Sequence, residues 1–242
     1  IGFDGASYCA MEFTGEAITA LSVEERMTIC NMAIEAGGKN GIIAPDDKAF
    51  QYTRARTAAP LDPVYGDPDA PVEREWRYDA ATLVPCVAEP HVPSHYAPAR
   101  DRSEVRLDRA YIGSCTGGKI TDFRAAAQIL RARKVAIPTF LVPATVEVAD
   151  ALMTETIDGR PLVQIFADAG CEEIAPPSCA ACLGGPPDTY GRTSGQEAVI
   201  STTNRNFIGR MGSKNSRIWL ASPLTVAASA VTGRITDPRD LP

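Results

Sequence analysis

Histidine is almost missing from this sequence, which has only His91 and His95, and there is no surplus of positive charge and no long apolar run. Each shortage closes a route. A structural zinc site needs four ligands, and two histidines in a Pro-rich stretch with no second CxxC do not complete one. The 24 Lys and Arg stand against 30 Asp and Glu, a net charge of −6. A general nucleic-acid binder needs a basic face to replace phosphate counterions, so no nucleic-acid partner is expected. No segment reaches the ~18–20 consecutive apolar residues of a membrane helix, so no membrane partner is expected either. The opening, Ile1-Gly2-Phe3-Asp4-Gly5, has no initiator Met and neither region of a secretory signal. The expectation is a fragment or a processed chain.

What is present is enough for a sizeable core: 242 residues, 45% of them hydrophobic. The seven cysteines, Cys9, Cys30, Cys86, Cys115, Cys171, Cys179 and Cys182, are odd in number and irregularly spaced. That pattern is not a disulfide framework; it suits a reducing compartment, with some thiols packed and some coordinating metal.

Three stretches differ in texture. Residues 1–45 carry helical pattern, with Ser22-Val23-Glu24-Glu25 as a capping box and Gly37-Gly38 as a left-handed stop. Residues 46–104 are rich in Pro, Asp and Arg and are read as an extended crossing segment, with Tyr52, Tyr65, Trp76 and Tyr78 packing onto something. Residues 105–242 alternate strand and helix: strands over 107–112, 138–142, 198–201 and 217–221, helices over 121–133, 146–153 and 161–169. A last helix is capped by Ser222, with Pro223 in its first position and Gly233 past its end. This alternation predicts an α/β fold, a mostly parallel sheet with helices on both faces.

The strongest chemical signal is Cys115 in Gly113-Ser114-Cys115-Thr116-Gly117-Gly118, between a strand and a helix, together with Cys179-Ala180-Ala181-Cys182 in a Pro/Gly loop. A CxxC alone is compatible with a zinc half-site, a redox pair or incidental thiols. Three thiolates without an obvious fourth would suit a cluster with one exposed iron. Gly113-(x4)-Gly118-Lys119 imitates a nucleotide phosphate loop, but that motif requires Ser or Thr next and position 120 is Ile. Arg205 and Arg210 lie in a Gly/Asn-rich loop, where they would either clamp carboxylates or be solvated surface residues. Asn31 and Glu35 share one helix face beside Met27 and Ile34, read as an apolar stripe. Glu35 is then either a functional carboxylate or a helix-end partner of Lys39. Cys9, Cys30, Cys86 and Cys171 are assigned to packing, and Trp76 and Trp219 to core or interface anchoring.

Taken together, Ile112-Gly113-Ser114-Cys115-Thr116, Cys179-x-x-Cys182, Asn204-Arg205-Asn206-Phe207-x-Gly209-Arg210 and Thr28-Ile29-Cys30-Asn31-Met32 through Glu35-Ala36-Gly37 resemble the aconitase superfamily in its motif order. The resemblance spans essentially the whole chain and is nearest the isopropylmalate isomerase large subunits of the plant and related bacterial type. It implies an iron–sulfur hydro-lyase in which Cys115, Cys179 and Cys182 hold a [4Fe–4S] cluster and Asn31 and Asn204 act as donors beside it. Arg205 and Arg210 would bind the carboxylates of a hydroxy di- or tricarboxylate, and Glu35 would contact the leaving or entering hydroxyl. The implied reaction is dehydration and rehydration of 2-isopropylmalate to 3-isopropylmalate, in leucine biosynthesis.

The resemblance further implies a small-subunit partner carrying the swivelling domain, and an upstream portion of the large subunit with further site residues. The chain is expected to be inactive without both. A bacterial cytoplasm or a plastid stroma is the implied compartment. Homoaconitase, aconitase and methylthioalkylmalate isomerase remain alternatives within the class; an RNA-binding or zinc-stabilised structural domain lies outside it. The family commonly has Asn where Gly117 stands, a departure that the plant-like branch shares.

Overall fold

The computed structural model describes residues 1–241. In its first part, β1 (Ala10–Glu12) pairs in parallel with β2 (Asn40–Ile42), and α1 (Glu16–Ala20) and α2 (Val23–Met32) lie between them in the chain. Ser22 caps α2 as its sequence predicts. Its hydroxyl accepts from the Glu25 N–H at 3.3 Å, while the Glu25 carboxylate accepts from the Ser22 N–H at 2.8 Å. A 3-10 turn over Ala33–Ala36 then reaches Gly37, whose φ of +82° ends the helix. The apolar stripe is a correction: Met27 and Ile34 are 42% and 49% exposed. What α2 buries instead is Arg26, whose guanidinium binds Asp46 at 2.6 Å.

The stretch read as an extended crossing segment is more structured at its ends. Asp46 accepts from the Ala49 N–H at 3.1 Å and caps α3 (Asp47–Arg54). Residues 57–79 contain no helix or strand, and Tyr65, Trp76 and Tyr78 are exposed on this chain. The segment ends in an antiparallel hairpin, β3 (Cys86–Ala88) and β4 (Tyr96–Pro98), which buries Val87 and Ala97. Strands of three residues show too little alternation to be read in advance.

From there the chain is α/β. β5 (Arg109–Gly113) turns through the single-turn α4 (Ser114–Gly117) into α5 (Ile120–Leu130), followed by β6 (Thr139–Val142) and α6 (Val146–Thr154). A small hairpin, β7 (Thr156–Ile157) and β8 (Arg160–Pro161), precedes α7 (Leu162–Ala169) and the short α8 (Ala180–Leu183). β9 (Ala198–Ser201), β10 (Arg217–Ala221) and α9 (Pro223–Thr232) complete it. Ser222 caps α9 by accepting from the Thr225 N–H at 3.3 Å, and Gly233 stops it at φ +70°.

The main sheet runs β4-β3-β10-β9-β5-β6. β10, β9, β5 and β6 are mutually parallel, and only the β3–β4 hairpin at one edge is antiparallel. Alternation along the strands sorts side chains between two cores. Ala110, Ile112, Ala198, Ile200 and Trp219 join residues of α5, α6, α7 and α9 in the major core. Tyr111, Val199, Ile218 and Leu220 face the other way, into a minor core with Val142, Ala181 and Met211. Helices were expected on both faces. The longer ones gather on one face, and the other is closed by α8 and loops. β5 passes to β6 on one side and β9 returns on the other, so the order reverses between β5 and β9, where open α/β sheets form crevices at the carboxyl ends of their strands.

Candidate functional site

The turn after β5 is built by a threonine. The Thr202 hydroxyl, just past β9, accepts from the Gly113 N–H at 2.8 Å and lies 3.0 and 2.9 Å from the Gly113 and Gly117 carbonyls. A Cβ on Gly117 would stand 2.5 Å from the Thr202 carbonyl oxygen, so in this packing position 117 has no room for a side chain. Ser114 sits at φ +81°, a left-handed conformation costly for a residue with a Cβ, and holds the turn by accepting from the Thr116 N–H at 3.1 Å. The result presents the exposed Cys115 thiol at the carboxyl end of β5. Lys119 disposes of the phosphate-loop reading: its ammonium is buried, donates to the Thr116 carbonyl and lies 3.0 Å from Asp122. A lysine held inward this way has no free reach to a phosphate.

α2 grips the same turn from the N-terminal part of the chain. Thr28 donates to the Thr116 carbonyl at 2.9 Å, the Thr116 hydroxyl donates to the Asn31 side-chain oxygen at 2.7 Å, and the Asn31 amide donates to the Cys115 sulfur at 3.5 Å. Asn31 therefore meets Cys115, which spacing alone could not say. Thr28 and Thr116 stand within the family motifs but take no role from the sequence, and Thr202 is not singled out by it, because a threonine hydroxyl shows its use only once its partners are known.

Cys179 and Cys182 flank α8, the first exposed and the second buried. Burial pushes the Cys182 thiol up to about 11, with Arg210 and Arg205 pulling it down and Cys115 and Cys179 raising it further. The loops do come together: a Cβ on Gly184, just past α8, would stand 3.0 Å from the Gly209 carbonyl oxygen in the arginine loop. An uncoordinated Cys182 is a protonated thiol at neutral pH, and a metal that binds it must displace that proton. Among the described residues no three His, Cys, Asp or Glu side chains converge on a single ion position. His91 and His95 do stand four apart, a zinc-like spacing, but they lie at the β3–β4 turn.

Glu35 completes the arrangement. It is 8% exposed, and its Oε1 accepts from the Asn204 amide at 3.0 Å and the Arg205 Nε at 2.6 Å. Lys39, the bland partner, is elsewhere, its ammonium 4.4 Å from the Tyr8 ring centroid. Asn204 thus serves Glu35, whereas Asn206 spans the β3 end and β10, donating to the Glu89 and Ile218 carbonyls at 2.7 and 3.1 Å. Of the remaining cysteines, Cys171 packs against the major core and Cys9 lies 3.4 Å from a Glu73 carboxylate oxygen. Trp219 is buried.

The site therefore combines three thiols, two guanidinium groups and a buried carboxylate held by an amide and an arginine. Thiolates are the donors that soft metals and iron–sulfur clusters take, and arginines suit carboxylate ligands. Residues 1–104 and 95–233 match the aconitase family (aconitate hydratase). The chain is 54% identical to the chloroplastic 3-isopropylmalate dehydratase large subunit of Arabidopsis thaliana, over 99% of its own length and 48% of the relative's. It is 45% identical to the 3-isopropylmalate dehydratase large subunit of Heliobacterium modesticaldum, over 100% and 56%. A probable methanogen homoaconitase large subunit of Methanosarcina mazei is 44% identical, over 99% and 59%. The chain thus spans about half the length of the curated relatives it matches.

Proposed function

The chain belongs to the aconitase family, and from that premise we propose that it is the cluster-bearing part of a hydro-lyase large subunit that converts 2-isopropylmalate to 3-isopropylmalate. The observation that carries this reading is the packing of the α8 loop against the Arg205–Arg210 loop, at Gly184 and Gly209, together with the link from Arg205 through Glu35 and α2 to the Cys115 turn. Cys115, Cys179 and Cys182 would hold a [4Fe–4S] cluster. Each thiolate of such a cluster would bind its own iron. When bound, the cluster would supply a Lewis acid that makes hydroxide a feasible leaving group.

The chain's own residues would do the rest. Arg210 and the part of the Arg205 guanidinium not engaged by Glu35 would bind substrate carboxylates. Glu35, fixed by Asn204 and Arg205, would accept or return a proton at the substrate hydroxyl. Asn31 orients the Cys115 sulfur from a helix on the other side of the turn.

The whole reaction would need the upstream half of the large subunit and a small subunit. Residues 1–45 would be the end of a preceding α/β domain, 46–104 the crossing segment and 105–242 the cluster-binding domain. The exposed Tyr65, Trp76 and Tyr78 are surface such a partner would cover. No described helix is long and apolar enough to cross a membrane; a plastid stroma or a bacterial cytoplasm is the proposed compartment. The test is turnover by the full-length large subunit with its small subunit, offered 2-isopropylmalate, homoaconitate and citrate in parallel. Preference for 2-isopropylmalate is expected. Preference for homoaconitate would move the assignment toward the relative from Methanosarcina mazei.

A further inference from the structure

Tyr111 carries a hydroxyl that the chain buries and leaves without a hydrogen-bond partner. The residue is 0% exposed and projects from β5 into the minor core. Two glycines wedge its ring from opposite edges. A Cβ on Gly113 would stand 2.9 Å from Tyr111 Cε1, and one on Gly191 would stand 2.9 Å from its Cε2. A ring pinned this way cannot swing its hydroxyl out to water. The same core contains Ala181, within the Cys179–Cys182 turn, so the phenol and that turn share one packed layer. Tyr190, packed against the same core, is not its partner: the Tyr190 hydroxyl donates to the Glu173 carbonyl, and the Tyr111 oxygen has no hydrogen bond to it.

An unpaired hydroxyl in a dry core destabilises the fold, and phenylalanine would fill the same space without it. The oxygen is therefore free to take a partner that the chain itself does not supply. We propose that the Tyr111 hydroxyl donates a hydrogen bond to sulfur at the Cys179–Cys182 end of the iron–sulfur cluster, so that Tyr111 is a positioning residue for that end of the group. This rests on the cluster reading above. Sulfur in a cluster carries negative charge and accepts such bonds, and hydrogen bonds to sulfur are among the levers that set cluster stability and potential. The apo chain would carry the orphan, and the loaded chain would satisfy it.

The experiment uses the full-length large subunit, anaerobically reconstituted with iron and sulfide, as wild type and as Tyr111→Phe. Resonance Raman spectra in H2O and D2O read the bond directly: the deuterium shift of the Fe–S stretching bands should be larger in wild type than in the variant, which keeps only the other exchangeable donors such as the Asn31 amide. Iron release to a chelator should be roughly tenfold faster from the variant, the scale of one hydrogen bond to a charged acceptor. Before reconstitution, the variant should melt at or above the wild-type temperature. Identical deuterium shifts and identical release rates would overturn the proposal. So would a lower melting temperature of the apo variant, which would mean that the hydroxyl already has a protein partner. Wild type that takes up neither iron nor sulfide would instead sink the cluster reading itself, and this inference with it.

Discussion

The two faces of the main sheet solve different problems. On one, α5, α6, α7 and α9 close a core whose members are almost all aliphatic or aromatic, with Phe123 and Phe166 packed edge to face at 5.9 Å. On the other, a smaller core lies under α8 and glycine-rich loops. The first face is what an amphipathic sequence builds to bury area. The second is thin, kinked and polar at its rim, with Ser114 and Met211 at positive φ. The contrast teaches a division of labour: the helical face sets the stability of the sheet, and the loop face positions thiols at its edge.

That division can be broken from either side. The largest effect should come from Cys182→Ser, which should abolish turnover of the assembled enzyme while leaving the apo chain's melting temperature within a few degrees of wild type. A collapse of the apo fold would mean that the loop face is structural after all. Next, Phe166→Ala on the helical face should cost about 3–5 kcal/mol of stability in denaturant titration. A cost under about 1 kcal/mol would show that this core is not what holds the sheet. Arg205→Lys keeps the charge but loses the fork that can serve Glu35 and a carboxylate together. A drop of roughly 100-fold in kcat/KM with unchanged iron content is expected.

The smallest effect lies away from both faces. Its bond to Arg26 first, and then the Ala49 N–H that it caps, hold the Asp46 carboxyl down to about 2. Its folded value is below its unfolded value, so its contribution is fully present above about pH 4 and is lost as pH falls toward 2. Asp46→Asn should flatten the acid dependence of melting in that window. An unchanged profile would remove the pair from the account.

Much of the fold was legible because its signals are local. Ser22 with Glu25, and Ser222 with Pro223 and Gly233, each fix a helix end within a few residues of chain, and the structure places those ends as the residues require. The cysteine loops were legible because Gly-Ser-Cys after a strand and a CxxC in a Pro/Gly run are rare local patterns. The missed parts depend on distance along the chain. Glu35 and Asn204 are 169 residues apart, and neither announces the other. The misread stripe has the same cause, since α2 spends its buried face on Arg26 and the site rather than on Met27 and Ile34. Tyr111 lay inside the strand expected over 107–112 and carried no chemical reading, because a hydroxyl becomes conspicuous only when its surroundings are seen to leave it alone.

The central claim is that Cys115, Cys179 and Cys182 jointly hold one cluster, and it is tested most directly by iron and acid-labile sulfide per chain. The measurement should be made on the anaerobically reconstituted full-length large subunit and its three single Cys→Ser variants. The account predicts about four of each per wild-type chain, as a [4Fe–4S] group requires, and loss of that content in every variant. Normal iron and sulfide in the three variants, or zinc in place of iron in the wild type, would contradict it.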